Sequence, residues 1–372
     1  MGLNLFQVLK DIVDRPGVTG FEAQRQTCLV EYFSRFCDSV SIDVIGNVIG
    51  ETGSGKRPVM LAGHYDQIGL MLNHVDEKGY GHFTTVGGID HRVLYGARVR
   101  IWTGDEPAAY VTGTIGAKPS HLVERDARTK AVKTEDLHID FGARDAEQAD
   151  SWGVKPGCVA TLHSPVERLG PSKTDVDLVV GAGFDDACSI PAFLRALELL
   201  EKTPLEGVKL YIVATVQEEI GLRGATVSGF NIAPWCALAV DVTHAQAPGV
   251  SASKVGDINI GKGPAIGVGA NFTRELWLMM QQTAQQEKIP YQVEPIPAAS
   301  GTDAWSLQVV KGGTITGLLS IPNRYMHSPN EVISIDDLEN TGRLVASTIR
   351  ELDRHDIPHT REVFRRTRHQ PS

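Results

Sequence analysis

Two adjacent carboxylates, Glu218 and Glu219, close the stretch Val208–Leu222, which starts as an apolar, β-branched run. Such a run reads as a buried strand. Neighbouring carboxylates at the mouth of a buried strand repel each other and lose hydration, so a bound cation or a shared proton has to compensate. A bare Glu-Glu pair is more often simply solvated, and the other strand ends decide between the two. Pro58–Ala62 is a second buried run, and it delivers His64, with Asp66 two residues further on. A metal-bound imidazole usually has its second ring nitrogen held by an acceptor, a role that suits Asp66. Paired aspartates, Asp185 and Asp186, follow a glycine-rich turn and precede a helical face of Ile190, Phe193, Leu194, Leu197 and Leu200. One of the pair suffices to cap that helix, which leaves the other spare. Cys236–Val240 is a further strand, ending in Asp241, and His327 lies in the loop after the strand Thr314–Ile321.

Two histidines and several carboxylates without cysteine form a mixed nitrogen and oxygen donor set. It suits zinc, cobalt or manganese better than calcium or an iron–sulfur cluster. Five ligands with one carboxylate to spare fit best around two divalent ions sharing a bridging water, whose pKa falls far below that of bulk water.

The elements that position these residues follow from the alternation of strand and helix patterns. Outside 68–161 that alternation predicts an α/β fold, a mainly parallel twisted sheet with helices on both faces. Ligands of such sheets bind beyond the C-terminal strand ends, where His64, Asp185, Glu218, Glu219 and Asp241 all fall. Between 68 and 161 the texture changes to short strand-like runs separated by Gly, Asp and Lys turns, which reads as a small β-rich insert. The expected catalytic domain is therefore discontinuous, 1–67 with 162–353, and a basic tail at 354–372 reads as a mobile end. Among the insert's histidines His121 is the one to watch, whereas His138-Ile139-Asp140 reads as structural. Near the start, Thr19 and Glu22 have capping-box spacing ahead of a helix.

Composition narrows the class further. The 372 residues carry a net charge of −9 and are 42% hydrophobic. That is ample for a large core and argues against a nucleic-acid-binding surface. No apolar run is long enough for a membrane span, and no secretory signal pattern opens the chain. The five cysteines are scattered and unpaired in spacing, which points to free thiols in a reducing cytoplasm. Gly50–Lys56 nearly spells a phosphate-binding loop. Arg57 stands where a magnesium-holding Ser or Thr belongs, and a strand follows instead of a helix, so the stretch reads as a glycine-rich connection.

In chain order, the motifs Pro-Gly-Val-Thr-Gly-Phe-Glu at 16–22, Gly-His-Tyr-Asp-Gln-Ile-Gly at 63–69, Ile-Gly-Ala-Lys-Pro-Ser-His-Leu at 115–122 and Phe-Asp-Asp at 184–186 are followed by Thr-Val-Gln-Glu-Glu-Ile-Gly-Leu-Arg-Gly-Ala at 215–225, Asp-Val-Thr-His at 241–244, Gly-Thr-Asp-Ala at 301–304 and Arg-Tyr-Met-His-Ser-Pro at 324–329. Together they resemble the M42 family of metallo-aminopeptidases, which includes the TET, glutamyl and deblocking types. The resemblance runs over nearly the whole chain except the tail. It implies that Asp185 bridges two metals and that the Asp185-Asp186 bond is cis. His64 and Asp241 would hold one metal, and Glu219 and His327 the other. Glu218 would act as general base on the bridging water, and Asp66 would orient His64. It further implies peptide substrates with a free N-terminus, a PDZ-like dimerisation insert, and dimers assembling into a hollow dodecamer in which His121 approaches a neighbouring subunit's site. One departure is local: Ala187-Cys188 follows the paired aspartates where many relatives have Arg.

Rival readings share the metal core. A di-metal carboxypeptidase or an N-acyl-amino-acid amidohydrolase would use the same ligands on different substrates, and a non-catalytic assembly protein could keep the fold. Intact Glu218 speaks against the last, because ligation alone does not need it. A metal-free glycosidase using a carboxylate pair is the remotest alternative.

Overall fold

The computed structural model describes residues 2–104, 109–124, 130–171 and 176–357. Most of the tail expected at 354–372 lies outside these residues. The chain opens with helices α1 (Leu5–Val13) and α2 (Ala23–Phe33), followed by strands β1 (Ser39–Ile42), β2 (Val48–Thr52) and β3 (Arg57–His64). Then come β4 (Gly69–Val75), β5 (Gly81–Val86), β6 (Arg98–Gly104), β7 (Ala109–Gly116), β8 (His138–Asp140), the short α3 (Ala146–Ser151) and β9 (Val159–Leu162). The remainder is β10 (Glu167–Arg168), β11 (Leu178–Gly181), α4 (Ser189–Leu200), β12 (Val208–Thr215), α5 (Arg223–Ile232), β13 (Cys236–His244), α6 (Ala252–Val255), β14 (Ala265–Gly269), α7 (Arg274–Gln286), β15 (Gln292–Ile296), α8 (Asp303–Gln308), β16 (Ile315–Asn323), β17 (Glu331–Ser334) and α9 (Ile335–Arg354).

An eight-stranded sheet in the order β1-β2-β12-β3-β13-β16-β14-β15 forms the centre of the molecule. Its four middle strands, β12, β3, β13 and β16, run parallel, whereas β2 joins β12 and β14 joins β16 antiparallel. The parallel block is buried on both faces, which explains its near-continuous apolar sequence. Residues alternate between two cores along each strand. In β3, Val59 and Leu61 join the larger core with Leu9, Phe193 and Ile349, while Met60 and Ala62 face Ala225 and Leu307 on the other side. In β13 the split is also one of size: Leu238 and Val240 face the larger core, and Ala237 and Ala239 face α8. Small side chains on that face let α8 pack close to the sheet.

Strands β4-β5-β8-β7-β6-β9 close into a small barrel with its own core of Leu70, Leu72, Val99, Ile101 and Ile139. A third sheet, β10-β11-β17, carries the chain back beneath the site. Of the near-phosphate-loop at 50–56, residues 50–52 end β2 and 53–56 form the glycine-rich connection to β3. The capping-box spacing at Thr19 and Glu22 serves another purpose. Helix α2 starts only at Ala23 without a side-chain cap, the Thr19 hydroxyl donates to Asp66, and the Glu22 carboxylate accepts the Gly20 N–H. Among the described residues no helix is long and apolar enough to cross a membrane.

Candidate metal centre

Every candidate ligand stands at or just past the C-terminal end of a strand. His64 is the last residue of β3, Glu218 and Glu219 follow β12, Asp241 lies near the end of β13, and His327 follows β16. Asp185 sits in the turn between β11 and α4, and the Asp185-Asp186 peptide bond is cis. Neither aspartate caps α4 through its side chain, so both remain for other work. Close approach of α4 to β3 depends on Gly63, where a Cβ would lie 2.5 Å from Ser189 Oγ and 2.8 Å from the Phe193 ring.

These residues converge on one cavity of about 510 Å³. Two donor sets share Asp185: His64, Asp185 and Asp241 form one, and Asp185, Glu219 and His327 the other. Within each set the donor atoms lie within 4.8 Å of one another. His64 Nε2 is 3.1 Å from Asp185 Oδ1 and 3.9 Å from Asp241 Oδ1. His327 Nε2 is 3.0 Å from the other Asp185 oxygen and 3.6 Å from Glu219 Oε2. Glu218 belongs to neither set, yet its Oε2 is 3.9 Å from His64 Nε2.

Second contacts hold the donors in place. His64 Nδ1 lies 3.0 Å from the Asp66 carbonyl oxygen and 3.5 Å from the Asp66 carboxylate. That carboxylate also accepts the Thr19 hydroxyl and the N–H groups of Glu218 and Glu219. His327 Nδ1 is 2.5 Å from the carbonyl oxygen of Gly88, a residue just past β5 of the barrel. Both imidazoles therefore present Nε2 to the cavity. Sequence reasoning gave Glu331 no role, yet it is buried and central. Its Oε2 accepts the N–H groups of Phe184 and Asp185, and its Oε1 accepts that of His327. The signal available was a carboxylate four residues after His327 at the mouth of a strand. Asp303, buried behind the site, was missed likewise; one of its oxygens accepts the Thr215 hydroxyl.

The electrostatics test whether this donor set suits cations. Burial raises Glu218 to about 10, opposed by His64 and reinforced by Asp241. Burial also raises Glu219 and Asp241 to about 8, with Asp185 adding repulsion to each. Burial pushes Asp185 upward too, but hydrogen bonds from His327 and His64 outweigh it and hold this carboxylate low. His327 is driven up to about 9, its burial overcome by Asp185 and Glu219. Clustered carboxylates of this kind cannot all ionise without added positive charge. Glu219 Oε1 is buried with no hydrogen-bond partner among the described residues, as a group aimed at a cation would be. The residues present therefore fit divalent metals. His121 stands elsewhere, exposed in a single helical turn after β7 and outside the cavity lining.

Residues 46–344 match the family described as M42 glutamyl aminopeptidase. The chain is 35% identical over 350 residues to a lysyl aminopeptidase of Pyrococcus furiosus, spanning 93% of this chain and 97% of that one. It superposes with a TM-score of 0.87 at 30% identity on the TET aminopeptidase of Thaumarchaeota archaeon SCGC AB-539-E09, covering 94% and 96% of the two chains. It is also similar to the Pyrococcus horikoshii TET1 peptidase, which assembles into a tetrahedron or a large octahedral shell, with a TM-score of 0.79, 32% identity and coverage of 92% and 98%. Fold and relatives agree, and the chain belongs to the M42 aminopeptidase family and is a peptide hydrolase.

Proposed function

We propose that this chain removes N-terminal residues from peptides with a free amino terminus, using two divalent cations and Glu218 as proton carrier. The observation that carries the reading is the pair of donor sets sharing Asp185, beside a carboxylate that belongs to neither. His64, Asp185 and Asp241 would hold one cation, and Asp185, Glu219 and His327 the other; the donor chemistry admits zinc, cobalt or manganese. When bound, such cations polarise the scissile carbonyl, lower the pKa of water and bring down the raised pKa values of the carboxylates around them.

The chain's own residues do the rest. Glu218 accepts a proton from the attacking water as the carbonyl carbon gains its oxygen, then passes that proton to the amine as the C–N bond breaks. Asp66 fixes the stage for this step, because its carboxylate accepts both the Glu218 and Glu219 N–H groups while its carbonyl faces His64. Glu331 holds the backbone of Asp185 and His327 from below.

For the whole molecule, 1–67 with 162–353 would form the catalytic domain and the barrel at 68–161 a dimerisation domain. Dimers would build a larger shell, a reading supported by the assemblies named for the TET relatives. An exposed His121 on the barrel suits a contact with a neighbouring subunit. All five cysteines are free, which favours a cytoplasmic setting.

The test is hydrolysis of free-amine aminoacyl chromogenic amides and their N-acetylated counterparts by metal-stripped protein, with zinc, cobalt or manganese added back. Cleavage of only the free-amine set, restored by metal, is expected. Cleavage of only the acetylated set would replace this reading with an acylamino-acid hydrolase.

A further inference from the structure

Of the carboxylates lining the catalytic cavity, four are accounted for as cation ligands or base. The fifth is Glu294. It projects from β15, the edge strand of the central sheet, yet its carboxylate reaches residues two and three strands further in. Oε1 accepts the hydroxyl of Thr243 on β13, and Oε2 accepts the hydroxyl of Ser320 on β16 at 2.6 Å. Its register partner on the neighbouring strand β14 is Gly267, where a Cβ would stand 3.0 Å from the Phe272 ring and 3.1 Å from Leu318.

Thr243, Ser320 and Asp241 share one face of the sheet. Asp241 and Ser320 are register partners on adjacent strands, a spacing of about 4.8 Å. Thr243 is two residues beyond Asp241, which places it on the same side. Glu294 therefore works on the side of the sheet that carries Asp241, and it lines the same cavity as the first donor set. Its two hydroxyl donors occupy only part of the four lone-pair positions of a carboxylate, so acceptor capacity remains. Leu222, Val242, Trp305 and Met326 line the cavity with apolar surface, and among the described residues neither Lys nor Arg lines it.

We propose that Glu294 is the specificity residue of this site, and that the preferred substrates carry a cationic N-terminal side chain, lysine or arginine. The assignment rests on the aminopeptidase reading above. A four-carbon stem lies against the apolar wall, as lysine stems do on apolar surfaces, and its ammonium meets Glu294. Burial pushes the Glu294 pKa up while the Ser320 and Thr243 hydroxyls and the charge of His244 pull it down, and an arriving cation would favour the ionised carboxylate further. An acidic side chain would instead meet the like charge of Glu294, with neither Lys nor Arg among the described lining residues to offset it.

Norleucine is the uncharged isostere of lysine and isolates the charge. With metal-loaded protein, kcat/KM for lysyl amide is expected to exceed that for norleucyl amide by about ten-fold or more, the discrimination of one charge-assisted hydrogen bond. Glu294→Gln should bring the ratio close to one. A parallel measurement needs no turnover: L-lysinamide should bind more tightly than L-norleucinamide by titration calorimetry, and Glu294→Gln should erase the difference. A norleucyl preference in the wild type, or a ratio unchanged by the substitution, overturns the specificity assignment and leaves the aminopeptidase reading intact. Absence of cleavage of every free-amine amide, with no lysinamide preference in binding, overturns both.

Discussion

Glu331 accepts the main-chain N–H of Asp185 at 3.0 Å, so the residue shared by both donor sets is held through its backbone by a second buried carboxylate. The other Glu331 oxygen accepts the His327 N–H at 3.1 Å, which ties a donor of the second set to the same group. Glutamine in its place retains one acceptor oxygen and turns an amide NH2 toward a backbone N–H. Glu331→Gln is expected to lower metal affinity by about 10–100-fold, with activity falling in step. Metal titration followed by activity at saturating metal separates the two effects: recovery of full activity at high metal confirms a role in positioning alone.

Glu218 behaves differently because no donor set includes it. Glu218→Gln should keep the full metal content by elemental analysis and reduce kcat by about 10²–10⁴-fold, the usual contribution of a positioned proton carrier. Retention of wild-type kcat would falsify the assignment of Glu218 as base.

The legible and illegible parts of this site divide along a physical line. His64, Glu218, Glu219 and Asp241 could be read from the sequence because each interrupts an apolar run at its exit, a local pattern. The parallel direction of the central strands followed from the alternation of strands and helices, whereas their order β12, β3, β13, β16 did not. Glu331 and Glu294 could not be read in the same way. Glu331 binds backbone 146 residues away at Asp185, and Glu294 reaches Thr243 across two intervening strands. Thr19 misled for the same reason: its spacing suited a helix cap, but the fold brings it to Asp66, 47 residues away. Local pattern reveals where a strand ends, and only tertiary contact reveals what supports that end.

Gly63 gives a purely steric test of the same support. A Cβ there meets Ser189 and Phe193 of α4, the helix that follows the paired aspartates. Gly63→Ala is expected to cost about 1–3 kcal/mol by pushing α4 away from β3. Because His64 is the next residue, the variant should also bind metal more weakly, and both effects are measured by denaturation and metal titration on one preparation.

Removing the metals should abolish activity and lower Tm, because ions that bind only the folded state stabilise it by mass action. The magnitude should grow with free metal concentration, by about 1.4 kcal/mol for each ten-fold excess over Kd. Thermal scans of stripped protein across a zinc or manganese series supply the check. A Tm independent of metal would exclude cation binding at the shared aspartate.

Glu22 provides a pH test outside the ligand set. Burial raises its pKa from 4.5 to about 7, opposed by the Gly20 N–H that its carboxylate accepts. Below pH 4.5 the group is protonated in folded and unfolded chains alike. As pH climbs toward 7 the unfolded chain loses this proton while the folded chain keeps it, so stability falls through that window. The full shift is worth about 3 kcal/mol. Glu22→Gln retains a carbonyl oxygen for the Gly20 N–H and has nothing to ionise. Its stability relative to wild type should therefore rise between pH 4.5 and 7 and level off above, as read from urea denaturation at a series of pH values. A difference that stays constant across the window would show that Glu22 titrates alike in both states.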